Sequence, residues 1–387
     1  MRTLLATVAL AVAALAGGCA HAPRPADAEA GLFHDAAFGP PTERVSTDDV
    51  FALNDAMRHY LRVEIAGALH AQGVQAGFVE SFSRKQGLRL EYDSARTKTA
   101  AQAFDTRSGN CLSLVLMTAA LARELGLPFH YGRAVLAELW SRHDDILFAS
   151  GHINITIGRR LVDARSRLDL APLTIDFLPP EEVRRLYTRE IEEGTVLAMY
   201  ANNRAAEALA GQRLDDAYAW AREALRHDAA FASAWNTLGV AYLRRGEAGY
   251  AAAVFEHVLA ALAARDTSTL SNLALAYARL GRGAEAEALR TRLVAIEAEP
   301  PYHFFHLGMR ALQAGHAAAA SALFEREVAR ADYQPEFHHW LGVARWRLGD
   351  VAGARRELAL AVANSSTRRE HDLYAAKHAW LGSASRP

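Results

Sequence analysis

Three residue types that together can activate a thiol stand far apart in this 387-residue chain: Cys111, His152 and Asp163. Cys111 lies in Arg107-Ser108-Gly109-Asn110-Cys111-Leu112-Ser113-Leu114, after a Ser/Gly/Asn cluster and at the head of a long apolar run. Covalent thiol catalysis needs an imidazole to take the sulfur's proton, leaving a Cys–His ion pair that stays reactive near neutral pH. A carboxylate on the other ring nitrogen fixes the tautomer and steadies the imidazolium. Each residue alone has a plainer reading. A lone cysteine on an apolar helix is most often a small buried hydrophobe, a strand histidine a satisfied structural residue, and an aspartate after a turn a solvated one. The functional case therefore depends on the elements that carry them.

Leu112, Val115, Leu116, Ala119, Ala122 and Leu125 recur at helical spacing, and Gly126 with Pro128 ends the run. Leu114, Met117 and Leu121 make the other face apolar too, which predicts a central helix with Cys111 in its first turn. There the positive end of the helix dipole favours the thiolate. His152-Ile153-Asn154-Ile155-Thr156-Ile157 alternates strictly, isoleucines on one face and His, Asn and Thr on the other. Gly158-Arg159-Arg160 supplies a turn, and Leu161-Val162-Asp163-Ala164 resumes an extended pattern, so the segment reads as a β-hairpin. A two- or four-residue loop puts His152 and Asp163 on the same face as diagonal neighbours; a three-residue loop separates them. Upstream, Ser46-Thr47-Asp48-Asp49 reads as the cap of a helix running from Val50 to Ile65. A second helix is expected over His70–Gly87, an extended piece over Leu88–Tyr92, and a short helix over Thr97–Phe104. Phe129 to Leu136 suggest a strand, followed by a polar loop around Arg142-His143-Asp144-Asp145.

Ser108-Gly109-Asn110-Cys111-Leu112-Ser113, then Leu121-Ala122-Arg123-Glu124-Leu125-Gly126-Leu127-Pro128, Gly151-His152-Ile153-Asn154 and Leu161-Val162-Asp163 resemble the bacterial transglutaminase-like superfamily. The resemblance implies a papain-related α+β fold over residues 46–180, with Cys111 as nucleophile, His152 as base and Asp163 as orienting carboxylate. It further implies attack on an amide and an acyl-enzyme resolved by water, as in a peptidase or amidase, or by an amine in cross-linking. Two departures bear on this. Many members carry an aromatic residue two places after the histidine, where this chain has Asn154. No upstream oxyanion-hole side chain matches securely, so the Cys111 backbone N–H is the default donor. Asn110 and Gln102 are candidates, Asn110 equally readable as a helix cap. An inactive peptide-binding scaffold is the competing reading.

Other chemistries are weaker. His143, Asp144, Asp145 and His152 are of metal-ligating type, but no helical histidine pair is present and the acidic cluster reads as an exposed loop, so neither a metal nor a cofactor is expected. A formal net charge of −1 without a basic run disfavours nucleic acid. Arg2, the apolar run Thr3–Leu15 and the small Ala16-Gly17-Gly18 read as an export signal over residues 1–19, too short to span a bilayer. Leu15-Ala16-Gly17-Gly18-Cys19 resembles a bacterial lipobox, although its large aliphatic residue stands four places before the cysteine, where the family more often has it three before. By that resemblance Cys19 is the lipidation site and holds the protein to a membrane. Ala20 and His21 follow in place of the retention aspartate, which implies an outer-membrane lipoprotein facing the periplasm. Ala-, Pro- and Asp-rich residues 20–45 read as a flexible tether. With Cys19 lipidated, Cys111 has no intramolecular disulfide partner.

From Thr195 the chain turns alanine-rich and self-similar. Gly211, Gly246, Gly281, Gly315 and Gly349 recur at intervals of 35, 35, 34 and 34. Gly239, Ala274, Gly308 and Gly342 precede the last four by seven residues; Ala251, Ala286, Ala320 and Ala354 follow them by five. That is the tetratricopeptide signature, small residues letting paired helices approach closely. The first repeat departs from it, with Arg204 and Glu207 at the corresponding offsets. The expected organisation is an α+β papain/transglutaminase-like domain, a linker over 181–195, and an all-α tetratricopeptide solenoid over 196–381 ending in a capping helix after Thr367. The first would take a peptide or protein substrate and the concave face of the second a protein partner.

Overall fold

The computed structural model describes residues 29–82, 88–93, 96–143, 146–159, 171–177, 188–296, 299, 302–365 and 368–384. The chain forms two units, Met1–Gly39 and Pro40–Pro387. In the first, a 3-10 turn runs over Asp35–Ala37. The second joins a region of helices and a small antiparallel sheet to a long all-helical, tetratricopeptide-like region. Among the described residues, no helix is long and apolar enough to cross a membrane.

The helices before the sheet follow the hydrophobic pattern with two differences: the first starts later, at Asp55, and runs on as a π turn over Tyr60–Glu64, and the second is broken at Gly73. They are α1 (Asp55–His59), α2 (Ala66–Gln72), α3 (Val74–Glu80), α4 (Ala100–Thr106) and α5 (Cys111–Glu124). Asn54, not the Ser46–Asp49 run, caps the first of them, its side chain accepting from Met57 N at 2.9 Å. Gly73 interrupts the expected second helix with φ +84°, a left-handed conformation that glycine adopts without strain. α5 agrees with its apolar-all-round pattern: every residue from Cys111 to Ala122 is buried. A two-residue parallel bridge, β1 (Glu91–Tyr92) on β2 (Ser108–Gly109), brings the segment before α4 beside the loop that enters α5.

The sheet has the order β5-β4-β3-β6. Its centre is a hairpin of β3 (Phe129–His143) and β4 (Ile146–Ile157), pairing Phe129 with Ile157 and shifting register between Arg133 and Glu138. β5 (Leu173–Ile175) borders β4 through Ile155↔Ile175, and β6 (Thr188–Ile191) borders β3 through Tyr131↔Ile191. The isoleucine alternation does its expected work, since Ile153, Ile155 and Ile157 are each fully buried. The pairing differs from the sequence expectation. The 152–157 strand lies between β3 and β5, with β3 and β4 paired antiparallel as far as His143 and Ile146. Residues 161–164, with Asp163, lie outside the described residues. Part of the expected linker is a strand, β6.

Among the described residues, the helical region consists of five antiparallel pairs and a closing helix. The pairs are α6 (Glu193–Ala210) with α7 (Leu214–His227), α8 (Ala232–Arg245) with α9 (Ala248–His257), α10 (Thr267–Arg279) with α11 (Gly283–Ile296), α12 (His303–Gln313) with α13 (Ala317–Arg330), and α14 (Pro335–Arg347) with α15 (Val351–Asn364). α16 (Arg368–Ala384) closes the array, Leu381 packing against Ala354 and Leu358. Gly246, Gly281, Gly315 and Gly349 turn between paired helices with φ of +94°, +76°, +82° and +83°. In the first pair Gln212 takes the left-handed position instead, at φ +58°. The small residues seven places earlier serve as predicted. A Cβ on Gly308 would stand 2.7 Å from the Phe324 ring, and one on Gly239 would overlap that of Phe255. Neighbouring repeats are tied by arginines two residues before the turn. Arg244 donates to Leu209 O at 3.1 Å, Arg279 to Leu243 O at 2.5 Å and Arg347 to Leu312 O at 2.9 Å. Each arginine adds a charged donor to a helix-end carbonyl that already accepts one backbone N–H from its own turn, filling its second lone pair.

Candidate active site

Cys111 is the first residue of α5, and Asn110 is the cap that starts the helix. Asn110 Oδ1 accepts from Ser113 N at 2.9 Å and from Ser113 Oγ at 2.8 Å, so the amide satisfies a first-turn donor the helix cannot. Its Nδ2 donates to Thr97 Oγ1 at 2.9 Å, and Lys98 N donates to Ser113 Oγ at 2.8 Å. Lys98 Nζ reaches Asp93 Oδ2 at 3.0 Å and Ser108 Oγ at 2.7 Å, tying down both sides of the β1–β2 bridge. Gly109 is needed here because a Cβ would come 2.7 Å from that of Ser113. Cys111 is thus held at a well-capped helix start, 7% exposed. Gln102 is exposed and closes the capping box of α4, its Oε1 accepting from Thr99 N at 3.1 Å. Both amides considered for an oxyanion role are therefore engaged in helix caps.

His152 sits on β4, against which α5 packs, and is 1% exposed. Its Nε2 lies 2.8 Å from Asp176 Oδ2, and Asn154 Nδ2 donates to the same oxygen at 3.2 Å. The β4–β5 register explains the meeting. Thr156 faces Thr174, their hydroxyls 2.9 Å apart, and one step along each strand's alternation leads to Asn154 and Asp176. Across the other edge of β4, Asn154 pairs with Gly132, where a Cβ would fall 2.5 Å from Asn154 Oδ1. Glycine at 132 is what lets that amide lie flat on the sheet and point at Asp176.

A carboxylate on Nε2 makes that nitrogen the N–H donor and leaves the lone pair on Nδ1. Nδ1 is buried and has no hydrogen-bond partner among the described residues, Cys111 included. A buried imidazole with one nitrogen fixed by a carboxylate and the other unused is equipped to accept a proton from an incoming group. The structure therefore joins His152, Asn154 and Asp176 directly and places Cys111 on the neighbouring element. Asp176 escaped the sequence reading, although a signal was present. Leu173-Thr174-Ile175-Asp176 alternates apolar and polar in the same phase as residues 152–157, but it is short and follows a more conspicuous extended stretch at 161–164. Among the described residues no group of three His, Cys, Asp or Glu side chains could hold a metal ion.

No family model matches this chain, and no curated protein does. Solved structures with helical repeats are similar to it. YrrB, a TPR protein with an unusual peptide-binding site, is 20% identical, the match covering 46% of this chain and 92% of YrrB at a TM-score of 0.25. TTC0263 of Thermus thermophilus, a thermophilic TPR protein, is 17% identical over 48% of this chain and 98% of its own, with a TM-score of 0.32. PilF of Pseudomonas aeruginosa is 19% identical over 50% of this chain and 87% of its own, with a TM-score of 0.31.

Proposed function

We propose that the protein is a transglutaminase-like thiol hydrolase, a peptidase or amidase acting through an acyl-Cys111 intermediate. The observation that carries the reading is the His152 ring, bound to Asp176 through Nε2 while Nδ1 is buried and unused. In this scheme Asp176 takes the orienting role that the family resemblance gave to Asp163. Nδ1 takes the Cys111 Sγ proton and the thiolate attacks the amide carbonyl carbon. The C–N bond then breaks as Nδ1–H returns the proton to the departing amine. Water, deprotonated by Nδ1, attacks the thioester, and the C–S bond breaks to restore the thiol. The Cys111 N–H at the dipole-positive end of α5 is the default donor to the oxyanion.

The repeats supply a surface for a peptide or a protein partner, the general use of such solenoids. We further propose that Cys19 is lipidated and holds the protein to the outer membrane, facing the periplasm; the motif at residues 15–19 supports this. The test of the hydrolase is iodoacetamide alkylation of Cys111 across a pH series, with trapping of an acyl adduct read by mass. Reaction well below the pH at which a free thiol reacts, lost in His152→Ala, is expected. One observation favours the second reading, a catalytically inactive peptide-binding scaffold: Asn110 and Gln102 are both taken up by helix caps. Alkylation only at alkaline pH and indifferent to His152→Ala would establish the scaffold.

A further inference from the structure

The first repeat breaks its own pattern at two positions, and the second of them leads toward Cys111. Where later repeats have Gly239, Ala274, Gly308 or Gly342, the first has Arg204, and where the second and third have Tyr242 and Tyr277 it has Glu207. In the second and fourth repeats the small residue receives an aromatic ring from the paired helix, Gly239 that of Phe255 and Gly308 that of Phe324. Here the Arg204 guanidinium lies over the Trp220 ring at 5.6 Å, and Trp220 Nε1 donates to Glu43 Oε1 at 2.8 Å. Arg204 also spans two carboxylates, Glu43 at 2.9 Å and Glu207 at 2.6 Å. These substitutions exchange the apolar seam of a repeat for a polar clasp on segments outside the repeats.

Glu207 continues the clasp toward the site. Its Oε1 accepts from Thr97 N at 2.6 Å. Thr97 is 2% exposed and its Oγ1 accepts from Asn110 Nδ2, the cap of the Cys111 helix. An unbroken path of hydrogen bonds thus runs from the repeats through Glu207, Thr97 and Asn110 to the first turn of α5. We propose that Glu207 is a positioning residue for the Cys111 nucleophile, so that the first helix pair of the solenoid is a working part of the active site. This rests on the thiol-hydrolase reading of Cys111. A residue with no bearing on the thiol would not need its carboxylate aimed at the one threonine that braces the cap.

The test is the pH profile of iodoacetamide alkylation of Cys111 in the full-length protein, read by mass. Glu207→Ala is expected to slow alkylation at neutral pH roughly fivefold, the effect of weakening a helix cap, and to move the profile to higher pH. Asn110→Ala should do the same, and the double variant should lose no more than either alone. Glu207→Gln keeps an acceptor for Thr97 N and should retain most of the parent's reactivity. Far-UV circular dichroism reports folding; should Glu207→Ala not fold, Thr97→Val, which removes only the hydroxyl that accepts from Asn110 Nδ2, is expected to give the same shift. A parent that reacts at neutral pH beside a Glu207→Ala or Thr97→Val profile superimposable on it overturns the positioning role alone. A parent thiol that reacts only at alkaline pH and ignores His152→Ala overturns the nucleophile reading, and the positioning role with it.

Discussion

At the scale of single residues, the site turns on which carboxylate serves His152. Asp176 is seated on Nε2, with its side chain 8% exposed and a second donor from Asn154. Asp176→Ala should therefore lower neutral-pH alkylation of Cys111 by roughly a hundredfold, the scale of a lost acid–base partner. Asp163→Asn should leave the rate near the parent's; the reverse ranking would return the orienting role to Asp163. Gly132→Ala tests the same cluster from the other side. Its added methyl would meet Asn154 Oδ1 at 2.5 Å and the Thr188 side chain at 3.3 Å. An overpacked position of this kind costs about 1–3 kcal/mol, measurable as a lower urea midpoint at unchanged slope. Tyr131 shows the same environment acting on a bystander: burial, and then the Glu193 carboxylate beside it, push its phenol well above the ordinary tyrosine range.

At the scale of elements, the repeats separate positions that tolerate a side chain from those that do not. Gly308→Ala forces the Phe324 ring to move, whereas Gly246, Gly281, Gly315 and Gly349 face open space and are constrained only by positive φ. The closing helix α16 docks through a buried histidine that it keeps neutral. His339 accepts from Lys377 Nζ at 2.9 Å and lies against Tyr374 and Trp340, and burial, reinforced by the Lys377 charge, lowers it to about 4. The unfolded chain takes up this proton as pH falls through 6.5, while the folded chain refuses it until about 4. Stability should thus fall between those values, by roughly 3 kcal/mol in all. His338 works in the opposite sense. Although burial opposes it, contact with Glu357 at 2.7 Å raises it, so its contribution is full below its ordinary value and fades as pH rises through the raised one. Thermal melts from pH 7 to 4.5 should show the parent losing Tm and His339→Leu losing distinctly less. Equal losses would remove His339 as the cause.

At the scale of the whole molecule, the sheet region and the repeats share one compact unit from Pro40 onward. Thr42 binds Asp216 through its N–H and hydroxyl, and Thr47 Oγ1 reaches Glu223 at 2.9 Å, so the strand of chain before α1 is strapped along α7. Glu43 is held by Arg204, Trp220 and Arg213; desolvation works against it, yet the indole N–H and both guanidinium groups keep its carboxyl below the usual range. Removing one side of such a pair leaves a charge stranded, at a cost of about 3–5 kcal/mol when fully buried. Arg204 has only 5% of its side chain exposed, but Glu43 has 27% and Arg204 keeps Glu207 at 2.6 Å when Glu43 is removed, so the cost falls below that range. Glu43→Ala should destabilise the protein accordingly, with sheet region and first repeat unfolding together in the parent. A parent that already melts in two well-separated steps would show the strap to be incidental.

Much of this architecture could be read directly from residue order, because it depends on local periodicity. The 34- and 35-residue glycine spacing, the apolar helix behind Cys111 and the isoleucine alternation at 153–157 all report neighbours along the chain, and the folded elements follow them. Even the odd Arg204 and Glu207 were visible as departures, without a reason. The tertiary structure alone decided which segments pair. Register between strands and the partners of buried charges depend on contacts across tens to hundreds of residues, where a one-residue slip reverses a face. That is why His152 is joined to Asp176, why residues 188–191 of the expected linker form β6, and why the irregular first repeat is hydrogen-bonded to the threonine beside the cap of the Cys111 helix.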